Sequence, residues 1–111
     1  MDSPKKEVIG SKLFEELDVP SIYEYGQATF GLKLADAFYF EIVSQVRLLE
    51  TQYLMHPECR HLETKTKKYR NIILGSYLII YRITTNQIQV LRAFHGSRSP
   101  KTIKSVRKIS V

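Results

Sequence analysis

At 111 residues, with 43% hydrophobic and 25% charged side chains, the chain has the make-up of one globular domain with a real core and no room for two. No apolar run approaches the roughly 20 residues of a membrane span, and the opening Met1-Asp2-Ser3-Pro4-Lys5-Lys6 is polar where a secretion signal would be apolar, so a cytoplasmic protein is expected. Seventeen Lys and Arg against eleven Asp and Glu leave a formal charge of +6, a surplus that favours acidic partners, either nucleic acid or an acidic protein segment, with plain solubility as the bland alternative. From residue 60 onward twelve cations face a single acid, Glu63, so the positive field belongs to the C-terminal half. The lone Cys59 excludes an internal disulfide framework and reads as an incidental thiol.

Residues 1–6 read as a frayed lead-in. Val8, Ile9, Leu13 and Phe14 suggest a first strand over about Glu7 to Phe14. Asp18 is placed as a helix N-cap with Pro20 in the first turn, and this helix should run through Ile22, Tyr25 and Thr29 to a stop at Gly31. The second helix is the clearest element: Ala35, Phe38, Ile42, Val46, Leu49 and Tyr53 form one apolar stripe at helical spacing. Tyr39 and Val43 widen it, whereas Phe40 points away, among Lys33, Ser44, Arg47 and Thr51. The helix should end before His56-Pro57.

A polar linker, ECRHLETKTKK, follows without periodicity. The pattern then switches to strands: Ile72 to Leu74, a Gly75-Ser76 turn, Tyr77 to Ile83, a turn over Thr84 to Gln87, and Ile88 to Phe94. The middle run is apolar on both faces and should be the central strand, covered on one face by the helices. Residues 99 to 111 form a basic tail with room for a short helix over Lys101 to Lys108. The fold expected is α+β, in the order β-α-α and then a three-stranded meander.

The chemistry is narrow. The five glycines form no phosphate loop, no nucleophile elbow occurs, and His56, Cys59 and His61 lack a second Cys/His pair to complete a tetrahedral site, so neither cofactor nor metal is expected. What remains is basic: Lys65, Lys67, Lys68 and Arg70 before and in the first meander strand, Arg82 and Arg92 in the next two, then His95 and Arg98. Converging on one sheet edge, such residues could grip a phosphate backbone and, with His95, support RNA cleavage. Equally, Arg82 and Arg92 could be outward-facing strand residues and His95 a turn residue.

The stretches VPSIYEYGQATFGLKLADAFYFEIVSQVRLL, HPECR and ILGSYLIIYRITTNQIQVLRAFHGSR resemble the RelE/ParE superfamily of bacterial toxin–antitoxin toxins over about residues 18 to 98. The resemblance implies a β-α-α-β-β-β fold with a helical hairpin on a small antiparallel sheet. RelE-like members cleave ribosome-bound mRNA, and Lys68, Arg70, Arg82, His95 and Arg98 would be the nuclease candidates. ParE-like members inhibit DNA gyrase. No tyrosine follows Tyr81 and no histidine follows His95, so the usual C-terminal catalytic position is unfilled and the H-G-x-R ending favours the ParE side. His95, Arg98 and Arg92 are then contacts for the target and no catalytic residue is assigned. Either activity implies a plasmid-stabilising module with a cognate antitoxin, for which Phe40 and Arg47 are the expected contacts. A third reading is a non-toxic member that only binds protein.

Overall fold

The computed structural model describes residues 3–111; Met1 and Asp2, part of the expected lead-in, lie outside the described residues. The elements are β1 (Glu7–Gly10), α1 (Val19–Phe30), α2 (Leu32–Gln52), β2 (Tyr69–Leu74), β3 (Tyr77–Ile83), β4 (Gln87–His95) and a short α3 (Pro100–Lys104), with a π-helical turn over Leu13–Asp18 and a 3₁₀ turn over Ser105–Lys108. The expected α+β order is present, and β3 is the centre of the meander, between β2 and β4. The sheet order is β1-β4-β3-β2, and β1 joins β4 in parallel, Glu7 opposite Gln87 and Gly10 opposite Val90. The sheet is therefore mixed, where a wholly antiparallel one was expected. Side-chain alternation is the same in either strand direction, so the residue pattern is blind to this difference.

The start of the chain departs most from expectation. Residues 3 to 6 do not fray: Ser3 and Lys6 donate their backbone N–H groups to the Thr51 and Glu50 carbonyls at 2.9 Å each, and the Lys6 ammonium donates to the Thr84 carbonyl at 2.6 Å. The last turn of any helix has carbonyls without an intrahelical partner, and this extended segment takes up two of them. β1 stops at Gly10, and Leu13 and Phe14, expected in the strand, are helical. Ser11 makes the transition. Its buried Oγ donates to the Leu91 carbonyl at 2.6 Å and accepts the Phe14 N–H at 3.0 Å. The turn that follows is wide, with the Val19 N–H reaching back five residues to the Phe14 carbonyl. Pro20 explains it: proline lacks an N–H and crowds the carbonyl four residues earlier, and a π turn relieves both.

α1 ends at Gly31, whose φ of 91° belongs to the left-handed region. α2 then lies along the sheet. Ala35, Ile42, Leu49 and Tyr53 of the stripe are buried, with Phe38 and Val46 packed partly against them; together with Ile72, Ile79, Tyr81, Ile88 and Val90 they build the main core. Tyr81 is fully buried and donates its hydroxyl to the Tyr53 carbonyl at 2.6 Å, tying the centre of the sheet to the end of α2.

The opposite face of the sheet is also covered. Ile80, Leu91, Phe94 and Tyr69 form a second core with Cys59 and Leu62 of the linker and Ile103 and Val106 of the tail. Neither segment is the solvated stretch that its composition suggests. Ile103, Val106 and Ile109 recur every three residues, enough to turn an apolar edge onto a sheet face that the helical hairpin leaves uncovered. Ser99 caps α3 by accepting the Thr102 N–H at 3.3 Å. Burial pushes the Cys59 thiol up to about 11, helped by the Glu63 and Glu58 carboxylates, which removes the thiolate on which reactivity depends. Truncating Ile42 to Ala should cost about 2–5 kcal/mol in a urea titration. The same is expected of Ile103→Ala in the tail, whereas a solvated extension would show a change within about 0.5 kcal/mol.

Candidate functional site at the end of β4

His95 ends β4, and the turn His95-Gly96-Ser97-Arg98 carries the chain towards α3. The turn is well tied. Gly96 donates its N–H to the Ser76 carbonyl at 2.7 Å, in the neighbouring β2–β3 turn, and Arg98 donates its N–H to the His95 carbonyl at 3.1 Å. The Ser97 N–H donates to His95 Nδ1 at 3.2 Å. Ser97 Oγ lies 2.7 Å from the same nitrogen. The ring stands edge-on to Tyr77, centroids 5.7 Å apart, and is exposed.

Below the turn the buried carboxylate of Asp18 holds the site together. Asp18 Oδ2 and Oδ1 accept from Arg92 Nε and Nη2 at 2.7 and 2.8 Å, and Oδ2 also accepts the Ala93 N–H at 2.8 Å. β1 ends at Gly10, opposite Val90, which leaves the upper part of β4 without a strand neighbour on that side. Asp18 takes the neighbour's place. A register shift in the β3–β4 pairing, from Ile80↔Arg92 to Tyr81↔Val90, gives β4 one extra residue at this point, and such bulges re-aim side chains. Asp18 stands at the N-cap position of α1 as expected, but its backbone is already helical and its side chain makes no cap hydrogen bond. The aspartate is consumed by a long-range partner that local sequence cannot display. Arg92, expected among the contact residues, has its guanidinium committed to this pair and lies 4.5 Å from the centroid of the Phe94 ring.

Arg98 also lies over Phe94, at 5.5 Å, and is exposed. Asp18, Tyr77, Arg92, Phe94, His95 and Arg98 line a shallow cleft of about 280 Å³. Its titratable groups do not form an acid–base pair: the Asp18 oxygens are spent, and burial raises the Tyr77 phenol, with the Tyr25 hydroxyl adding to the shift. The cleft offers a cation, an imidazole and an aromatic floor.

The remaining nuclease candidates lie elsewhere. Tyr77 pairs with His95, whereas Arg82, five residues along the same strand, pairs with Tyr69. At about 3.3 Å per residue the two ends stand about 17 Å apart, so Lys68, Arg70 and Arg82 do not converge with His95 and Arg98. Arg70 clamps the linker, donating to the His56, Leu54 and Lys67 carbonyls at 2.9, 3.3 and 3.1 Å. Arg82 donates to Gln89 at 2.8 Å and to the Ile109 carbonyl at 3.0 Å, fastening the tail. Lys68 is exposed, its ammonium 5.6 Å from the Tyr69 ring. Among the described residues no group of three or more His, Cys, Asp or Glu could hold a metal ion.

A larger feature escaped the sequence reading. The hairpin of α1 and α2 and the Ser76-Tyr77 corner enclose an apolar groove of about 310 Å³, lined among others by Tyr25, Phe30, Leu34, Phe38 and Tyr39. Tyr25, Phe30 and Leu34 are each about 60% exposed. The signal was present, since Phe30, Leu32 and Leu34 crowd Gly31 with more apolar surface than a helix tip can bury. Phe40 and Arg47 are both exposed but border different depressions, Phe40 beside Glu15 and Tyr39, Arg47 beside Lys5 and Glu7.

A family model described as ParE toxin of type II toxin-antitoxin system, parDE, matches residues 15–100. Among solved structures, one described as the chromosomal ParDE TA system from P. aeruginosa superposes with a TM-score of 0.66 at 20% identity, covering 82% of this chain and 96% of that one. No curated protein matches. At that identity the structural likeness speaks for the fold alone. Removing the Asp18 carboxylate leaves Arg92 without its partner and the Ala93 N–H without an acceptor. Asp18→Ala should therefore cost about 3–5 kcal/mol, read from the urea midpoint.

Proposed function

The chain belongs to the ParE toxin family of type II toxin–antitoxin systems, and on that premise we propose that it acts in the cytoplasm by inhibiting DNA gyrase until a cognate antitoxin neutralises it. The observation that carries this reading is the cleft at the end of β4. RNA cleavage needs a base for the 2′-hydroxyl proton and an acid for the leaving oxygen. The cleft presents His95 with no free partner for the second role, and the sheet's other cations are engaged or about 17 Å away. A surface with Arg98 exposed over Phe94 and His95 exposed beside Tyr77, seated by the Asp18–Arg92 pair, suits contact with another macromolecule. We assign target contact to His95 and Arg98, and give Arg92 the task of holding them.

The antitoxin reading draws on the apolar groove of the helical hairpin. Exposed aromatic and aliphatic side chains in a preformed groove fit the anchors of an amphipathic helix. Phe40 and Arg47 lie outside this groove, each bordering a separate depression. In a pull-down with the product of the adjacent small gene, Leu34→Asp should weaken binding about 30-fold or more, the effect of losing a central anchor; Phe40→Ala should change it much less.

The target is tested with purified protein in two assays. Gyrase supercoiling should be inhibited and a reporter mRNA translated on ribosomes should stay intact. Arg98→Ala should raise the concentration needed for inhibition about tenfold or more, as expected for a central interface arginine. Ribosome-dependent mRNA cleavage that His95→Ala abolishes, with the fold intact by circular dichroism, would overturn the gyrase reading in favour of a nuclease.

A further inference from the structure

The linker and the tail form one layer over the second face of the sheet. Cys59 and Leu62 share a core with Ile103 and Val106, and Arg107 donates to the Glu63 carbonyl at 3.3 Å across the seam. This layer holds the whole electrostatic surplus of the protein. Residues 58–68 and 99–111 contain eight cations and two carboxylates, Glu58 and Glu63, an excess of six that equals the formal net charge of +6. The other residues carry nine charges of each sign.

All eight cations are exposed. Lys101, Lys104, Arg107 and Lys108 lie on the tail; Arg60, Lys65, Lys67 and Lys68 lie on the linker. None is in an ion pair among the described residues, where the two salt bridges are Lys5–Glu50 and Arg92–Asp18. Exposed cations left unpaired across one continuous face are poor contributors to stability, since their mutual repulsion opposes folding. The four tail cations also lie past the residues matched by the family model, which end at 100, so the tail half of the layer lies outside the family match.

We propose that this layer binds the phosphate backbone of double-stranded DNA without regard to sequence, through the exposed cations of the linker and the tail. Single strands are held by stacking bases on aromatic side chains, and this face has none to offer: Tyr69 is buried, and the exposed Tyr25, Phe30, Tyr39 and Phe40 are on the helical hairpin. RNA duplexes are distinguished through the 2′-hydroxyl, yet most hydroxyls of this layer serve internally. Ser105 donates to the Thr102 carbonyl, Thr102 pairs with Ser99, and Thr64 accepts the Lys68 N–H. What remains is charge. From Pro100 to Lys108 the helical tail spans about 15 Å, the reach of about four phosphates on one strand of B-form DNA.

The test is fluorescence anisotropy with the full chain and a labelled 20-base-pair DNA duplex of arbitrary sequence. The affinity should fall linearly in log–log form with salt, with a slope of about −3.6 for four phosphates, or about a hundred-fold between 50 and 200 mM. A second duplex of scrambled sequence should bind equally. The quadruple variant Lys101→Gln, Lys104→Gln, Arg107→Gln, Lys108→Gln leaves Ile103 and Val106 in place and should keep the wild-type melting curve. It should flatten the slope by half or more and weaken binding at 50 mM salt at least tenfold. Absence of binding at 50 mM salt, or a slope that the folded variant leaves unchanged, would overturn the proposal. Tighter binding of the single strand or of an RNA duplex, or competition by polyglutamate at equal charge concentration, would overturn it in favour of those partners. These readouts are independent of gyrase inhibition and of antitoxin binding.

Discussion

The buried carboxylate of Asp18 is the contact from which the geometry of this protein follows. It receives two N–H groups of Arg92 and the backbone N–H of Ala93, and so does three things with one side chain. It covers the edge of β4 that β1 is too short to cover, it fixes where α1 departs from the sheet, and it neutralises a guanidinium only one-fifth exposed. A buried charge pair is weak evidence of stability when compared with an apolar alternative. Its use here is directional: a bidentate arginine–carboxylate pair admits one relative orientation, and that orientation sets the hairpin on the sheet and the β4 turn above it.

Around this pin the sheet is used on both faces. The helical hairpin covers one, and the linker with the tail covers the other, so the strands carry apolar side chains on both sides, as in β3 with Ile79, Ile80 and Tyr81 all buried. The arginines that looked like a reactive set are largely the fasteners of these layers. Arg70 gathers carbonyls at both ends of the linker, those of His56 and Lys67, and Arg82 that of Ile109. Arginine suits the task because its planar fork satisfies several acceptors at once while its stem packs on apolar surface.

The fasteners also divide the surface into regions of different character. The hairpin presents apolar side chains in a groove, the β4 turn presents an imidazole and a guanidinium over an aromatic floor, and the linker–tail layer presents cations alone. The groove and the cleft share Ile22 and Tyr77, whereas the linker–tail layer lies on the other face of the sheet.

Much of the fold was legible in the residues, because period and punctuation are local properties. The stripe from Ala35 to Tyr53, the stop at Gly31, the Gly75-Ser76 turn and the central place of Tyr77 to Ile83 need only the helical and strand repeats and the conformational freedom of glycine. The His95–Arg98 turn at the end of β4 was legible through a family pattern of adjacent residues. Four features were decided by contacts far apart in the chain. Asp18 looked like a cap because its partners are about 75 residues away. Leu13 and Phe14 looked like strand because the Ser11 bond to Leu91 that ends β1 is invisible locally. The tail looked solvated because charge outweighs three apolar residues until a bare sheet face is there to receive them. The cations of the two strand ends looked like one cluster because residue order does not record which end of a strand each occupies. A sequence carries its short-range periodicities openly, but which long-range partner satisfies a given buried charge or apolar edge is settled only when the chain closes on itself.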